Sequence, residues 1–126
     1  MLNRLSRLRE LIEDNTAVLL TSDENRFYFS GFKSSAGAVV VTKNTATLLV
    51  DFRYYEAALK TVNSYIGIVC YKKIIDSINE VLNKESIDKI VLEDDHITVN
   101  EYDFYSNNIR ADILSGFSLS QKILEL

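Results

Sequence analysis

Leu2, Leu5, Leu8 and Leu11/Ile12 recur at three- and four-residue spacing among Arg4, Arg7, Arg9 and Glu10. That period puts them on one stripe of an amphipathic helix. Thr16-Ala17-Val18-Leu19-Leu20 follows as an unbroken apolar run, the pattern of a short strand buried on both faces. Ser22, Asp23 and Asn25 are short polar side chains suited to cap a short helical turn that carries Phe27 and Tyr28. Residues 37–42 and 45–51 are rich in Val, Leu and Thr, and Lys43-Asn44 between them makes a polar tip where Asn tolerates positive φ, so the pair reads as a β-hairpin. A helix is expected over 53–62, with Tyr54, Ala57, Ala58 and Thr61 at helical spacing, and a buried strand over 66–71. Ile74, Ile75, Ile78, Val81 and Leu82 give the clearest helix in the chain, with Asp76, Asn79, Glu80 and Asn83 facing out. Residues 88–93 read as a strand. Thr98-Val99-Asn100-Glu101 is a capping box opening a helix through Tyr102, Tyr105 and Ile109, and 111–117 supply a last edge strand.

This order of elements predicts a three-layer α/β/α sandwich, because parallel strands need helical crossovers and the crossovers cover the sheet. The hairpin makes the sheet mixed, with five to six strands. No Pro-rich or Gly/Ser-rich linker, low-complexity tract or repeat interrupts the pattern, so residues 1–126 read as a single domain.

Composition fits that reading: 126 residues with 47% hydrophobic content suit one compact core. The longest apolar stretches, 17–20 and 36–41, fall far short of the roughly 18 residues that cross a bilayer. The amphipathic start lacks the apolar core and cleavage site of a signal peptide, so a cytoplasmic protein without membrane partners is expected. Cys70 stands alone in the apolar run 66–71 and reads as a buried structural thiol. The net charge of −4 comes from interspersed charges, with no basic cluster beyond Lys72-Lys73, which argues against nucleic acid as a partner.

Hydrolytic chemistry needs an activated nucleophile, an acid/base pair or a metal cage. Residues 31–37 lack nucleophile-elbow spacing, and Gly31, Gly37, Gly67 and Gly116 are too dispersed for a phosphate-binding fingerprint. Glu93-Asp94-Asp95-His96 is the one concentrated group of metal-ligating types, yet four consecutive residues leaving a strand read better as a solvated turn. With one histidine in the chain, a His-rich zinc centre is excluded. Glu10, Asp14, Glu56 and Glu80 fall on expected solvated helix faces. Phe27, Tyr28, Phe29 and Phe32 either pack a loop onto the core or line a small-molecule pocket, with packing the better reading.

Residues 22–32 (Ser-Asp-Glu-Asn-Arg-Phe-Tyr-Phe-Ser-Gly-Phe), followed by Ser34-Ser35-Ala36-Gly37, resemble the creatinase/prolidase N-terminal domain that precedes the catalytic half of Xaa-Pro aminopeptidases and Xaa-Pro dipeptidases. Residues 46–58, with Asp51-Phe52-Arg53-Tyr54, resemble that family's strand ending in Asp-x-Arg-Tyr before a helix. Residues 93–102 resemble its next strand-to-helix passage. The three segments occur in the family's order and cover almost the whole chain.

The resemblance implies a ribonuclease-H-like mixed sheet and a supporting role in oligomer contacts and active-site covering. Asn25, Arg26, Tyr28, Phe32, Asp51, Arg53 and Tyr54 are the residues it marks as facing an interface or an active site. Asn25 and Ser22 suit a helix start, and Gly31 permits a bend that a Cβ would obstruct. Asp51 and Arg53 lie on one side of an extended segment, within reach of an ion pair. Catalysis in the family belongs to a following pita-bread domain that holds two divalent metals, often manganese, through two Asp, one His and two Glu. Those motifs are absent from this sequence, so no catalytic, cofactor or metal residue is expected in it and the chain alone is expected to be inactive. Residues 118–126 resemble the start of the family's linker helix and stop inside an apolar-periodic run, so a truncated protein with its catalytic domain downstream, assembling as a dimer or tetramer, is expected. A stand-alone module binding a small ligand through residues 27–32, and the N-terminal domain of a creatinase-like enzyme acting on a non-peptide substrate, are the alternatives.

Overall fold

A computed structural model describes residues 2–114. In chain order the elements are α1 (Leu2–Glu10), β1 (Thr16–Leu20), α2 (Asp23–Ser30), β2 (Ala38–Thr42), β3 (Ala46–Val50), α3 (Phe52–Thr61), β4 (Gly67–Cys70), α4 (Ile74–Lys84), β5 (Lys89–Leu92), α5 (Val99–Asn108) and β6 (Asp112–Leu114). The six strands form one sheet in the order β4-β3-β2-β1-β5-β6. β2 runs antiparallel to both its neighbours, while the β1–β5, β3–β4 and β5–β6 pairs are parallel. Reversal of β2 alone therefore leaves every other strand pointing the same way.

Strand alternation divides the apolar side chains between two cores. Val18, Leu20, Val39, Val41, Leu48 and Val50 turn to the side where Leu5 and Leu8 of α1, Phe29 of α2 and Ala58 of α3 pack. Ala17, Leu19, Val40, Leu49, Ile90 and Leu92 turn to the opposite side, under Ile78 and Leu82 of α4 and Tyr105 of α5. The three-layer sandwich and mixed sheet expected from the element order are what the structure shows, with six strands.

Capping follows the polar residues that the sequence singles out. Ser22 caps α2 by accepting from Asn25 N, and Gly31 closes it in the left-handed region at φ 72°. Thr98 and Glu101 form the reciprocal capping box of α5. Asp23–Ser30 is a complete eight-residue helix rather than a short turn.

Other expectations need correction. Cys70 is exposed, because β4 is an edge strand whose ends face solvent. The hairpin tip does not use positive φ at Asn44, which Asn15 and Ser86 adopt instead. The Thr42 hydroxyl closes the turn by accepting from Asn44 N and Thr45 N. The strand expected over 111–117 runs over Asp112–Leu114; its remainder and the linker-helix resemblance at 118–126 lie outside the described residues.

Gly37 joins the 31–37 loop to β2 at φ +128°, and a Cβ there would stand 2.4 Å from the Leu49 carbonyl oxygen. Gly37→Ala is expected to cost on the order of 1–3 kcal/mol in backbone strain, before any shift of β3. That loss should appear as a melting temperature lower by at least about 5 °C. A melting temperature within a degree of the parent's would refute this reading of the contact.

Candidate functional site

Because all strands but β2 share a direction, their carboxyl ends bring Thr21, Asp51, Tyr71 and Glu93 to one edge of the sheet. The 31–37 loop enters β2 at the same edge. Open α/β sheets gather ligands outside the carboxyl ends of their strands, so this edge is where a site is sought.

Glu93 is fully buried. It continues the β5 alternation one step past Leu92, onto the side covered by α2. Its Oε1 accepts from the amides of Thr21 at 2.6 Å and Ser22 at 3.0 Å, and its Oε2 accepts from Asn25 Nδ2 at 2.9 Å. The first amides of a helix have no intrahelical acceptor, and the helix dipole favours negative charge there. Glu93 thus supplies α2 with an internal anion. Of the expected solvated turn at 93–96, its first residue is instead the buried anchor of a different helix. This was the residue that sequence reasoning missed; the available signal was a carboxylate in step with the inward positions of its strand.

Arg26, 4% exposed, extends the seam. Nη1 donates to the Thr21 carbonyl, while Nη2 donates to Asp23 Oδ1 and to the Ser34 carbonyl, both at 2.6 Å. Its Nε is buried and has no hydrogen-bond partner. The guanidinium therefore ties the end of β1, the start of α2 and the 31–37 loop together. On the outer side the Tyr54 hydroxyl accepts from Ser35 N at 3.3 Å and lies 2.7 Å from Ser35 Oγ. These bonds to Ser35 hold the Tyr54 phenol below its usual value. The Phe32 ring meets Tyr54 edge-on at 6.2 Å.

Asp51 caps α3 by accepting from Arg53 N at 3.0 Å, and its carboxylate takes Arg53 Nε at 3.1 Å and Nη2 at 2.7 Å. The ion pair expected from the sequence forms, but Arg53 stands in the first turn of α3 and not on an extended segment. The side-chain bond with Arg53 holds the Asp51 carboxyl below the usual carboxylate value, and the same bond raises Arg53. Arg53 also lies 5.2 Å over the Tyr54 ring.

The seven residues marked by the sequence therefore divide. Arg26, Phe32 and Tyr54 meet around the 31–37 loop, with the Asp51–Arg53 pair beside Tyr54. Asn25 is committed to Glu93. Tyr28 turns away to α1, where the Arg4 guanidinium lies 4.0 Å over its ring. Asp23, Glu24, Phe27, Lys33, Tyr54 and the Ser34–Ser35 segment border a cavity of about 490 Å³ beside the loop. Lys33 and Ser35 were not singled out from the sequence as site residues. Among the described residues no three His, Cys, Asp or Glu side chains converge as a metal site would require, so the residues present do not fit the two-metal centre of the resembled family. Also among the described residues, no helix is long and apolar enough to cross a membrane.

A three-layer α/β domain with a hydrogen-bonded seam at the carboxyl edge of a mixed sheet is the class this geometry defines. The chain belongs to the creatinase/prolidase N-terminal domain family, whose profile matches residues 4–123. It is 32% identical over 103 residues to a putative Xaa-Pro aminopeptidase of Mycoplasma genitalium, an alignment covering 80% of this chain and 29% of that one. An Xaa-Pro dipeptidase from Bacillus anthracis superposes with a TM-score of 0.82 at 29% identity, covering 90% of this chain and 33% of its own. The fold also matches the N-terminal domain of the cytoplasmic peptidase PepQ from Mycobacterium tuberculosis, with a TM-score of 0.78 at 22% identity over 94% of this chain and 97% of that domain. The chain thus spans about a third of the length of the full peptidases it matches.

Glu93→Ala leaves several donors without their acceptor and is expected to destabilise the fold by on the order of 2–4 kcal/mol in chemical denaturation. Glu93→Gln keeps Oε1 but turns a donor toward Asn25 and should cost less. A change within about 0.5 kcal/mol for Glu93→Ala would count against the anchor.

The Asp51–Arg53 pair has a pH signature. A carboxyl lowered in the folded state below its ordinary 3.8 contributes stability that is present above that value and is lost as pH falls through the folded one. Asp51→Asn should therefore flatten the acid limb of stability below about pH 4. An unchanged acid limb would show that the pair is energetically silent.

Proposed function

We propose that this chain is the non-catalytic N-terminal domain of a Xaa-Pro peptidase, with the catalytic domain following it in the same polypeptide. The family match across 4–123 carries the proposal, together with the fact that the relatives named as Xaa-Pro peptidases are about three times as long. In that parent, two divalent metals, with manganese the expected pair, would be held by residues of the downstream domain and not of this chain, and would supply Lewis-acid chemistry for hydrolysis of the bond before proline. A cytoplasmic parent is part of this reading; the PepQ neighbour is itself named a cytoplasmic peptidase.

The carboxyl edge is the surface assigned to the catalytic domain or to a partner subunit in a dimer or tetramer. Arg53, Tyr54 and the rim of the 31–37 loop present polar groups there, and Phe52 beside them is 81% exposed, an apolar side chain suited to cover by another surface. Asn25 and Arg26 serve this surface from beneath, by fixing α2 and the loop.

The test separates chain from parent. The 126-residue chain is expected to show no hydrolysis of Xaa-Pro dipeptides or tripeptides with manganese, while the full polypeptide hydrolyses them and loses activity to a chelator. Chelator-sensitive hydrolysis by the chain alone, or a full polypeptide inert toward Xaa-Pro bonds, would overturn the assignment.

A further inference from the structure

The cavity beside the 31–37 loop shares Tyr54 and the loop rim with that surface, and its lining has a chemistry of its own. Two aromatic residues line it: Phe27, 46% exposed, and Tyr54, fixed by Ser35 and by the edge of Phe32. Two carboxylates line it as well: Asp23 and Glu24 open α2, and the Asp23 carboxylate remains 78% exposed although Arg26 takes its Oδ1. Aromatic faces together with carboxylates attract cations and repel anions.

The molecule already fills this arrangement with a cation of its own. Lys33 Nζ lies 5.5 Å from the centre of the Phe27 ring. Among the described residues it has no carboxylate within ion-pair distance. The other rings of this region carry arginines held more closely, Arg4 over Tyr28 at 4.0 Å and Arg53 over Tyr54 at 5.2 Å. At 5.5 Å, Lys33 is near the ~6 Å limit of such contacts, and it rides on an exposed loop position. It is the cation that can be exchanged.

We propose that the cavity binds a basic side chain, arginine or lysine, of a peptide, stacked on Phe27 in the cavity that Asp23 and Glu24 also line, with Lys33 as the tethered occupant that leaves. Taking the ligand to be a peptide rests on the Xaa-Pro peptidase reading. Under that reading the cavity favours substrates carrying positive charge away from the cleaved bond. Lys33 then sets a threshold: only a cation that binds better than a lysine already in place enters.

Titration of an N-acetylated, C-amidated Ala-Arg-Ala peptide into the isotopically labelled chain, followed by amide shifts, tests this without any turnover. Saturable shifts confined to α2 and the 31–37 loop are expected, with the norleucine analogue at least about fivefold weaker. Phe27→Leu, which keeps an apolar side chain at an exposed position, should weaken the arginine peptide about fivefold, and Lys33→Met should tighten it about threefold. Equal binding of the norleucine peptide, weaker binding to Lys33→Met, or no saturable shift at all would each overturn the proposal. Any of these leaves the peptidase assignment intact, because that assignment is read from hydrolysis by the full polypeptide.

Discussion

The Glu93 carboxylate sits where three elements have to agree: the end of β1, the start of α2 and the end of β5. A buried carboxylate is costly unless its oxygens are occupied, and here two backbone amides and an asparagine amide occupy them. β1 and β5 are adjacent parallel strands, with Leu19 opposite Leu92, so Glu93 is delivered beside Thr21 by the register of the sheet itself. Once the carboxylate is in place, α2 has both a position and a direction. Arg26 follows from α2, the Ser34 carbonyl from Arg26, and the loop that meets Tyr54 from Ser34. The outer surface of the carboxyl edge is thus laid out from a carboxylate that solvent does not reach.

Most of the architecture was legible, for reasons that particular residues make plain. The unbroken run Thr16–Leu20 is buried at all five positions, as the central strand of a two-sided sheet must be, and the isoleucines of α4 mark one face with no ambiguity. Ser22 and Thr98 cap the helices they precede because a hydroxyl at that position meets amides that have no other partner. Cys70 misled because an apolar run reads alike in a central and an edge strand; which neighbours a strand has is a tertiary fact. Glu93 misled for the converse reason. A charged residue after a strand is usually solvated, and only the presence of α2 overhead turns it into an acceptor.

The candidate site was legible as a set of residues and not as an arrangement. Resemblance put Arg26, Phe32, Asp51, Arg53 and Tyr54 on the page, but it treated Asn25 and Tyr28 as their equals. The structure separates them by what they touch: Asn25 is bound to Glu93, and Tyr28 lies under Arg4. Lys33 and Ser35 carry no motif of their own. Their part emerges only when the loop folds back on Phe27 and Tyr54, a contact between positions 19 residues apart in the case of Ser35.

The loop itself is a wall and not a lid. Arg26 holds the Ser34 carbonyl from inside, Tyr54 holds Ser35 from outside, and the Ser34 hydroxyl donates to the Ala36 carbonyl at 2.9 Å. At its start Phe32 N donates to Ser30 Oγ at 3.1 Å, and at its end Gly37 leaves no room for a side chain against β3. A lid needs ends that swing through large backbone changes and few contacts in between. Here Gly31 N donates to the Phe27 carbonyl at 2.7 Å to close α2, and Gly37 is pressed on the Leu49 carbonyl, so the two residues best able to swing are held, one by its cap bond and one by packing. A surface held this way loses little entropy when a partner or peptide settles on it, which is the physical value of a rigid accessory domain beside a reaction centre that lies elsewhere.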